Sequence, residues 1–180
     1  ITSPFTFVST INTIHQLGLK IKFADINLSD LNIDPNNFKN KISKKTKCIL
    51  ITHYGGNPCD LQSIYKICPK NVYLIEDSAT ALGAEYKRNK IGSFNNSISI
   101  FSLYANKIIT TAEGGLISTN NNQLAKKIRT LISIGIDKTP WKRNNQKFIY
   151  KYDLKYPGYK FNFTDLQASL GIEQLKKLDK

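Results

Sequence analysis

The sequence is short of the residues that build disulfide frameworks and metal centres. Cys48, Cys59 and Cys68 are an odd set with no CxxC pair. That argues against a disulfide framework or a zinc site and fits a reducing cytoplasm. His15 and His53 are the only histidines, too few and too scattered for a metal cluster. No apolar run approaches the roughly 20 residues that span a bilayer, and no signal-peptide pattern is visible, so membrane insertion is not expected. Acidic residues are also scarce: 13 Asp and Glu stand against 26 Lys and Arg, a formal net charge of +13. A nucleic-acid binder would carry such a charge, and its affinity would fall steeply with salt. However, the lysines are spread along the chain, from Lys39, Lys41, Lys44, Lys45 and Lys47 to Lys126, Lys127, Lys176 and Lys177, among many asparagines and isoleucines. That mixture is what an AT-rich genome produces, and no nucleic-acid motif accompanies it.

What is present reads as a globular chain. The 180 residues are 41% hydrophobic and 22% charged, enough apolar material for one domain with a sizeable core. Val8, Ile11, Ile14 and Leu17 recur at helical spacing, with Gly18 placed as a C-cap. The run Leu19 to Asp25 alternates as a strand does. Asp34-Pro35 supplies an N-cap and a first-turn proline for a short helix near Phe38. Lys47 to Thr52 is a compact apolar strand, and Asp60 caps a helix from Leu61 to Cys68. Val72 to Ile75, Ser97 to Leu103 and Gly115 to Ser118 read as further strands, and Gln123 to Leu131 as a helix. From Ile136 to Lys160 the periodicity fades and a long loop is expected. Thr164 to Gln167 forms a capping box that opens a final helix. Strands alternating with helices predict an α/β fold, a mostly parallel sheet covered on both faces.

In open α/β sheets, ligands sit at the carboxyl ends of the strands. Asp77, Ser102, Lys107 and His53 all follow apolar strand segments. A lysine there can form a Schiff base with a carbonyl, and a carboxylate can hold a pyridinium nitrogen protonated. Together they are the pair a pyridoxal phosphate enzyme needs. Alone, Lys107 would be a solvated surface charge, Asp77 and Ser102 turn residues, Phe7 a core aromatic, and Asn162 a residue ahead of the Thr164 cap.

The stretches SPFTFVSTINTI, FADINLSDLNIDP, ITHYGGNPCD, IEDSATALGAEYK, IGSF, FSLYANKIITTAEGGLISTNN and PGYKFNFTDLQASLGIEQLKKL run in order over nearly the whole chain. In them the sequence resembles the DegT/DnrJ/EryC1/StrS sugar aminotransferases, fold-type-I enzymes that use pyridoxal 5'-phosphate. HYGGNPCD and PGYKFNFTD look closest to the branch that aminates a UDP-4-keto-pentose for lipid A modification. The resemblance implies the large cofactor domain of that fold and amino transfer from glutamate to a nucleotide-linked keto sugar in amino-sugar and lipopolysaccharide synthesis. It also implies a cytoplasmic homodimer with shared active sites. It places Lys107 as the lysine that binds the cofactor and moves the proton. Asp77 faces the pyridine nitrogen, Phe7 stacks on the ring, and Ser102 meets the phosphate. Asn162 reaches the phosphate of the neighbouring subunit.

Two positions depart from the family pattern. Thr80 stands where Gln or His is common and would touch the ring from one side, and Ile134 stands where His usually precedes Gly135. The opening at Ile1 inside an apolar pattern reads as a fragment: residues 1–180 as a partial large domain, without the N-terminal phosphate-binding segment and the small C-terminal domain. Three alternatives stand beside amino transfer. One is the family's sugar dehydratases, which carry histidine where Lys107 stands. The second is an inactive truncated remnant, and the third is the basic nucleic-acid binder.

Overall fold

A computed structural model of the chain describes residues 1–136 and 153–178. Its centre is a four-stranded sheet of β1 (Cys48–Thr52), β2 (Tyr73–Asp77), β5 (Ile98–Ser102) and β6 (Gly115–Ser118), in that spatial order. The first three strands run parallel, and β6 returns antiparallel beside β5. The sheet carries α1 (Val8–Gln16), α2 (Pro35–Lys39), α3 (Leu61–Ile67), α4 (Asn122–Ile132) and α5 (Asp165–Leu175). A small hairpin of β3 (Glu85–Tyr86) and β4 (Asn89–Lys90) inserts between β2 and β5.

Local chemistry explains where the helices begin. Asp34 accepts a hydrogen bond from the Asn36 amide with Pro35 at the first helical position, and Asp60 accepts one from the Ser63 amide. Thr164 and Gln167 form both bonds of the capping box. Each cap satisfies a backbone donor that the helix leaves free, typically worth about 1 kcal/mol. Gly18, at φ +67, ends the turn after α1, where its N–H donates to the His15 carbonyl.

Strand alternation sends two different sets of side chains to the two faces of the sheet. Ile49, Ile51, Leu74, Glu76, Ser99 and Phe101 face one side and are all buried, packed with Leu61 and Ile64 of α3 and with Phe38 of α2. Each fully buried Ile, Leu or Phe contributes roughly 1.5–3 kcal/mol relative to exposure. Thr52, Asp77, Ile100 and Ser102 face the other side. There Thr10 of α1 reaches Asp77, while Ile100 and Ile117 remain exposed. Cover is therefore complete on one face and partial on the other.

The strand expected over Leu19 to Asp25 does not form. Only Phe23 pairs, through a single parallel bridge to Thr2, flanked by the Thr2 N–H to Lys22 and Ala24 N–H to Thr2 bonds. Pro4, two residues on, has no N–H to continue the ladder. The loop expected over 136–160 lies mostly outside the described residues. At its described ends, Ile136 bridges Leu154 and Ser133 bridges Lys160, both antiparallel.

Candidate active site

The carboxyl ends of the parallel strands carry the polar residues. Asp77 ends β2 and pairs in register with Thr52 of β1 and Ile100 of β5. Its side chain is half-buried and points toward α1. The Thr10 hydroxyl donates to Asp77 Oδ2 at 2.9 Å, and the Ala79 N–H donates to Oδ1 at 3.1 Å. Among the described residues no lysine or arginine forms an ion pair with it, so its lone pairs remain open to a cationic N–H.

Phe7 caps α1 one turn ahead of Thr10, whose N–H donates to the Phe7 carbonyl. Phe7 is 74% exposed, a flat apolar face at the start of the helix whose Thr10 reaches Asp77. Thr80 follows Asp77 by one turn, and its hydroxyl donates to the His53 carbonyl at 3.3 Å. The Thr6 and Thr52 hydroxyls bond each other at 2.9 Å, joining the start of this segment to the end of β1.

Ser102 is the last residue of β5, on the same face as Asp77. Its Oγ accepts from the Tyr104 N–H at 3.2 Å, which leaves its own proton free to donate. Lys107 lies in the loop that leaves β5. The Lys107 N–H donates to the Tyr104 carbonyl, and the Thr111 N–H donates back to Leu103, closing the loop at its base. The lysine is half-buried, and its amine has no acceptor among the described residues. Gly114 permits a close approach at the base of this loop. A Cβ at Gly114 would stand 2.6 Å from Thr111 Oγ1 and 2.7 Å from the Phe163 ring.

Asn162 is exposed on the approach to α5. That approach is tied to the Lys107 side of the sheet by the Gln167 amide, which donates to the Glu113 carbonyl at 2.7 Å. Phe7, Asp77 and Thr80 thus form one group, Ser102 and Lys107 lie at and beyond the adjacent strand end, and Asn162 belongs to the separate approach to α5.

Two features escape local sequence reading. Thr10 is one; its helical spacing from Phe7 was the available signal. The other is a buried polar cluster on the opposite face of β2. Glu76 is fully buried and accepts from His53 Nε2 at 3.1 Å, Ser99 Oγ at 3.1 Å and Tyr65 Oη at 2.9 Å. Burial pushes the Glu76 carboxyl up, but the hydrogen bonds it accepts, that from His53 foremost, outweigh it, so its pKa falls below the ordinary value. Burial pushes the neighbouring Tyr65 hydroxyl and Cys59 thiol up. A glutamate at an inward position of an apolar strand was the sequence signal for this cluster.

An open carboxylate and a hydroxyl with a free proton at strand ends, an unpaired amine in the loop beyond β5 and an exposed aromatic at the start of α1 are the kinds of group that a flat, anionic, carbonyl-bearing cofactor would use. The chain belongs to the DegT/DnrJ/EryC1/StrS aminotransferase family, which it matches over residues 1–180. It is 42% identical to the spore coat polysaccharide biosynthesis protein SpsC of Bacillus subtilis over 180 residues, 99% of this chain and 46% of that protein. PseC of Helicobacter pylori, an aminotransferase involved in the biosynthesis of pseudoaminic acid, superposes with a TM-score of 0.88 at 34% identity, over 99% of this chain and 46% of that one. The Escherichia coli GDP-4-keto-6-deoxy-D-mannose-3-dehydratase, solved with bound hydrated PLP, gives a TM-score of 0.85 at 28% identity, over 99% of this chain and 48% of that one. The chain spans about half the length of the relatives it matches. No helix among the described residues is long and apolar enough to cross a membrane.

Proposed function

We propose that this chain carries the cofactor site of a pyridoxal phosphate-dependent aminotransferase that places an amino group from glutamate on a nucleotide-linked keto sugar. The observation that carries the reading is the half-buried Lys107 amine, free of any acceptor among the described residues, in the loop beyond the strand end next to Asp77. The residues fit pyridoxal phosphate by their chemistry. When bound, that group supplies an aldehyde that takes up an amine and a ring that draws electrons from the neighbouring carbon.

Lys107 Nζ would hold the aldehyde end and would serve as the base that takes up and returns the proton there. Asp77 accepts the ring N–H and keeps it protonated. Thr10 and the Ala79 amide hold the carboxylate in place for that bond. Phe7 covers one ring face and excludes water there, and Thr80 bears on the ring from one side. Ser102 donates its free proton to the phosphate, and Asn162 serves the phosphate of a second copy. A lysine at position 107 also favours amino transfer over the family's dehydratase chemistry, which uses a histidine there.

Exposed apolar residues of α5 and its approach, among them Phe161, Leu166 and Ile172, support a homodimer. The free cysteines and the sugar-nucleotide substrate class support a cytoplasmic setting. The product class is an amino sugar destined for a cell-surface polysaccharide, with lipopolysaccharide one such polymer. The test is a half-reaction. The chain loaded with pyridoxal phosphate is mixed with L-glutamate, and 2-oxoglutarate is measured. Release of one equivalent per bound cofactor is expected. None released from chain with cofactor on Lys107 would overturn the aminotransferase reading.

A further inference from the structure

His53 is fully buried and bonded on every side. Its Nδ1 accepts from the Cys59 N–H at 3.0 Å, so the ring proton sits on Nε2, where it donates to Glu76 Oε2 at 3.1 Å. Ser99 and Tyr65 donate to the same carboxylate, and Tyr65 also contacts Ser97 Oγ at 3.2 Å. This fixes both the tautomer and the ring orientation. The His53 backbone then holds two residues of the candidate site. Its N–H donates to the Asp77 carbonyl at 3.0 Å, and its C=O accepts the Thr80 hydroxyl at 3.3 Å. The same carbonyl accepts the Gly56 N–H at 3.1 Å. A Cβ at Gly56 would lie 2.6 Å from the Thr80 oxygen, so the turn after His53 packs directly on Thr80.

We infer that His53, anchored by Glu76, is a positioning residue: its ring, buried on the far side of the sheet, fixes the backbone that aims Asp77 and Thr80 at the cofactor ring. This rests on the pyridoxal phosphate reading above. Asp77 and Glu76 are neighbours on β2 and point to opposite faces, so the buried carboxylate reaches the site only through His53 and the strand between them. A tilt of the His53 peptide shifts the Asp77 carbonyl first, and the carboxylate turns with its backbone.

The test compares the affinity of the full chain for pyridoxal phosphate with that for its 1-deaza analogue, in which carbon replaces the ring nitrogen. Binding is read by fluorescence quenching, with no turnover needed. Wild-type protein is expected to prefer pyridoxal phosphate, because only its ring nitrogen bonds Asp77. In His53→Ala and Glu76→Gln that preference should shrink by about tenfold or more, the size of one well-aimed bond to a charged group, while affinity for the deaza analogue holds. His53→Gln, which can still donate to Glu76, should recover part of the preference. Equal weakening of both ligands would show a merely structural role and overturn the inference, as would an unchanged preference. Should His53→Ala fail to fold, the near-isosteric Glu76→Gln decides the matter alone. A wild type without preference or without binding would instead overturn the cofactor reading itself.

Discussion

Replacing Thr10 by valine keeps the shape of a buried side chain and removes one donor. Thr10 is 7% exposed, and its hydroxyl lies 2.9 Å from Asp77 Oδ2. A hydrogen bond to a charged group contributes about 1.5–3 kcal/mol when well formed. Asp77 is half-buried, so water recovers part of that loss, and the cost falls to or below the low end of that range, about 1–1.5 kcal/mol. For a chain of this size each kcal/mol moves Tm by about 2–4 °C, so Thr10→Val should melt roughly 3–5 °C below the native protein. The carboxylate also loses the bond that sets its direction, so affinity for pyridoxal phosphate should fall by up to about tenfold, the equivalent of 1.4 kcal/mol. Thr10→Ser, which restores the donor, should recover most of both losses. Thermal melts followed by circular dichroism and a fluorescence titration with pyridoxal phosphate measure the two effects. A Thr10→Val protein that melts and binds as the native chain does would refute the claim that Thr10 holds Asp77.

Gly56→Ala should lower Tm and weaken cofactor binding together, since Gly56 sits at φ +86 and its new Cβ would meet the Thr80 carbonyl at 2.6 Å; the left-handed strain alone costs about 1–3 kcal/mol, and a native-like melt would contradict it. Glu76 has a folded pKa below its ordinary 4.5, so its contribution to stability is full above that value and is lost as pH falls through the folded value. Denaturant melts across the acid range should show Glu76→Gln with a flatter loss of stability below pH 4.5 than the native chain; parallel curves would contradict this. Phe38→Ala empties a fully buried site between α2 and the sheet and should cost about 3–5 kcal/mol in urea unfolding, and a loss under 1 kcal/mol would show that the core collapses around it.

The parts of the fold legible in the sequence were those written in local chemistry. Asp34, Asp60 and the Thr164–Gln167 box mark helix starts because a short side chain must meet a free N–H two or three residues on. The three parallel strands read correctly because apolar runs between turn residues have few other fates. Two elements escaped for physical reasons, and one helix start was off by a residue. Leu19 to Asp25 alternates like a strand, yet a strand needs a partner, and Pro4 ends the one neighbour it pairs with among the described residues. The β3–β4 hairpin turns at Lys87 and Arg88, both at positive φ, where Asn-Gly is the usual signal. Asn121, which accepts from the Leu124 amide, starts α4 one residue earlier than the apolar pattern suggested. In the candidate site, Asp77, Ser102 and Lys107 stood out as polar residues after apolar strands. The His53–Glu76 contact joins residues 23 apart in the chain, and no local pattern encodes such a pairing.

The central claim is that Lys107 is the amine this site presents to an aldehyde cofactor. The chain is incubated with pyridoxal phosphate, reduced with borohydride, digested and mapped by mass spectrometry. Label concentrated on Lys107, and absent from Lys107→Ala, is the predicted result. Label scattered over the many surface lysines, with Lys107 no richer than the rest, would contradict the account.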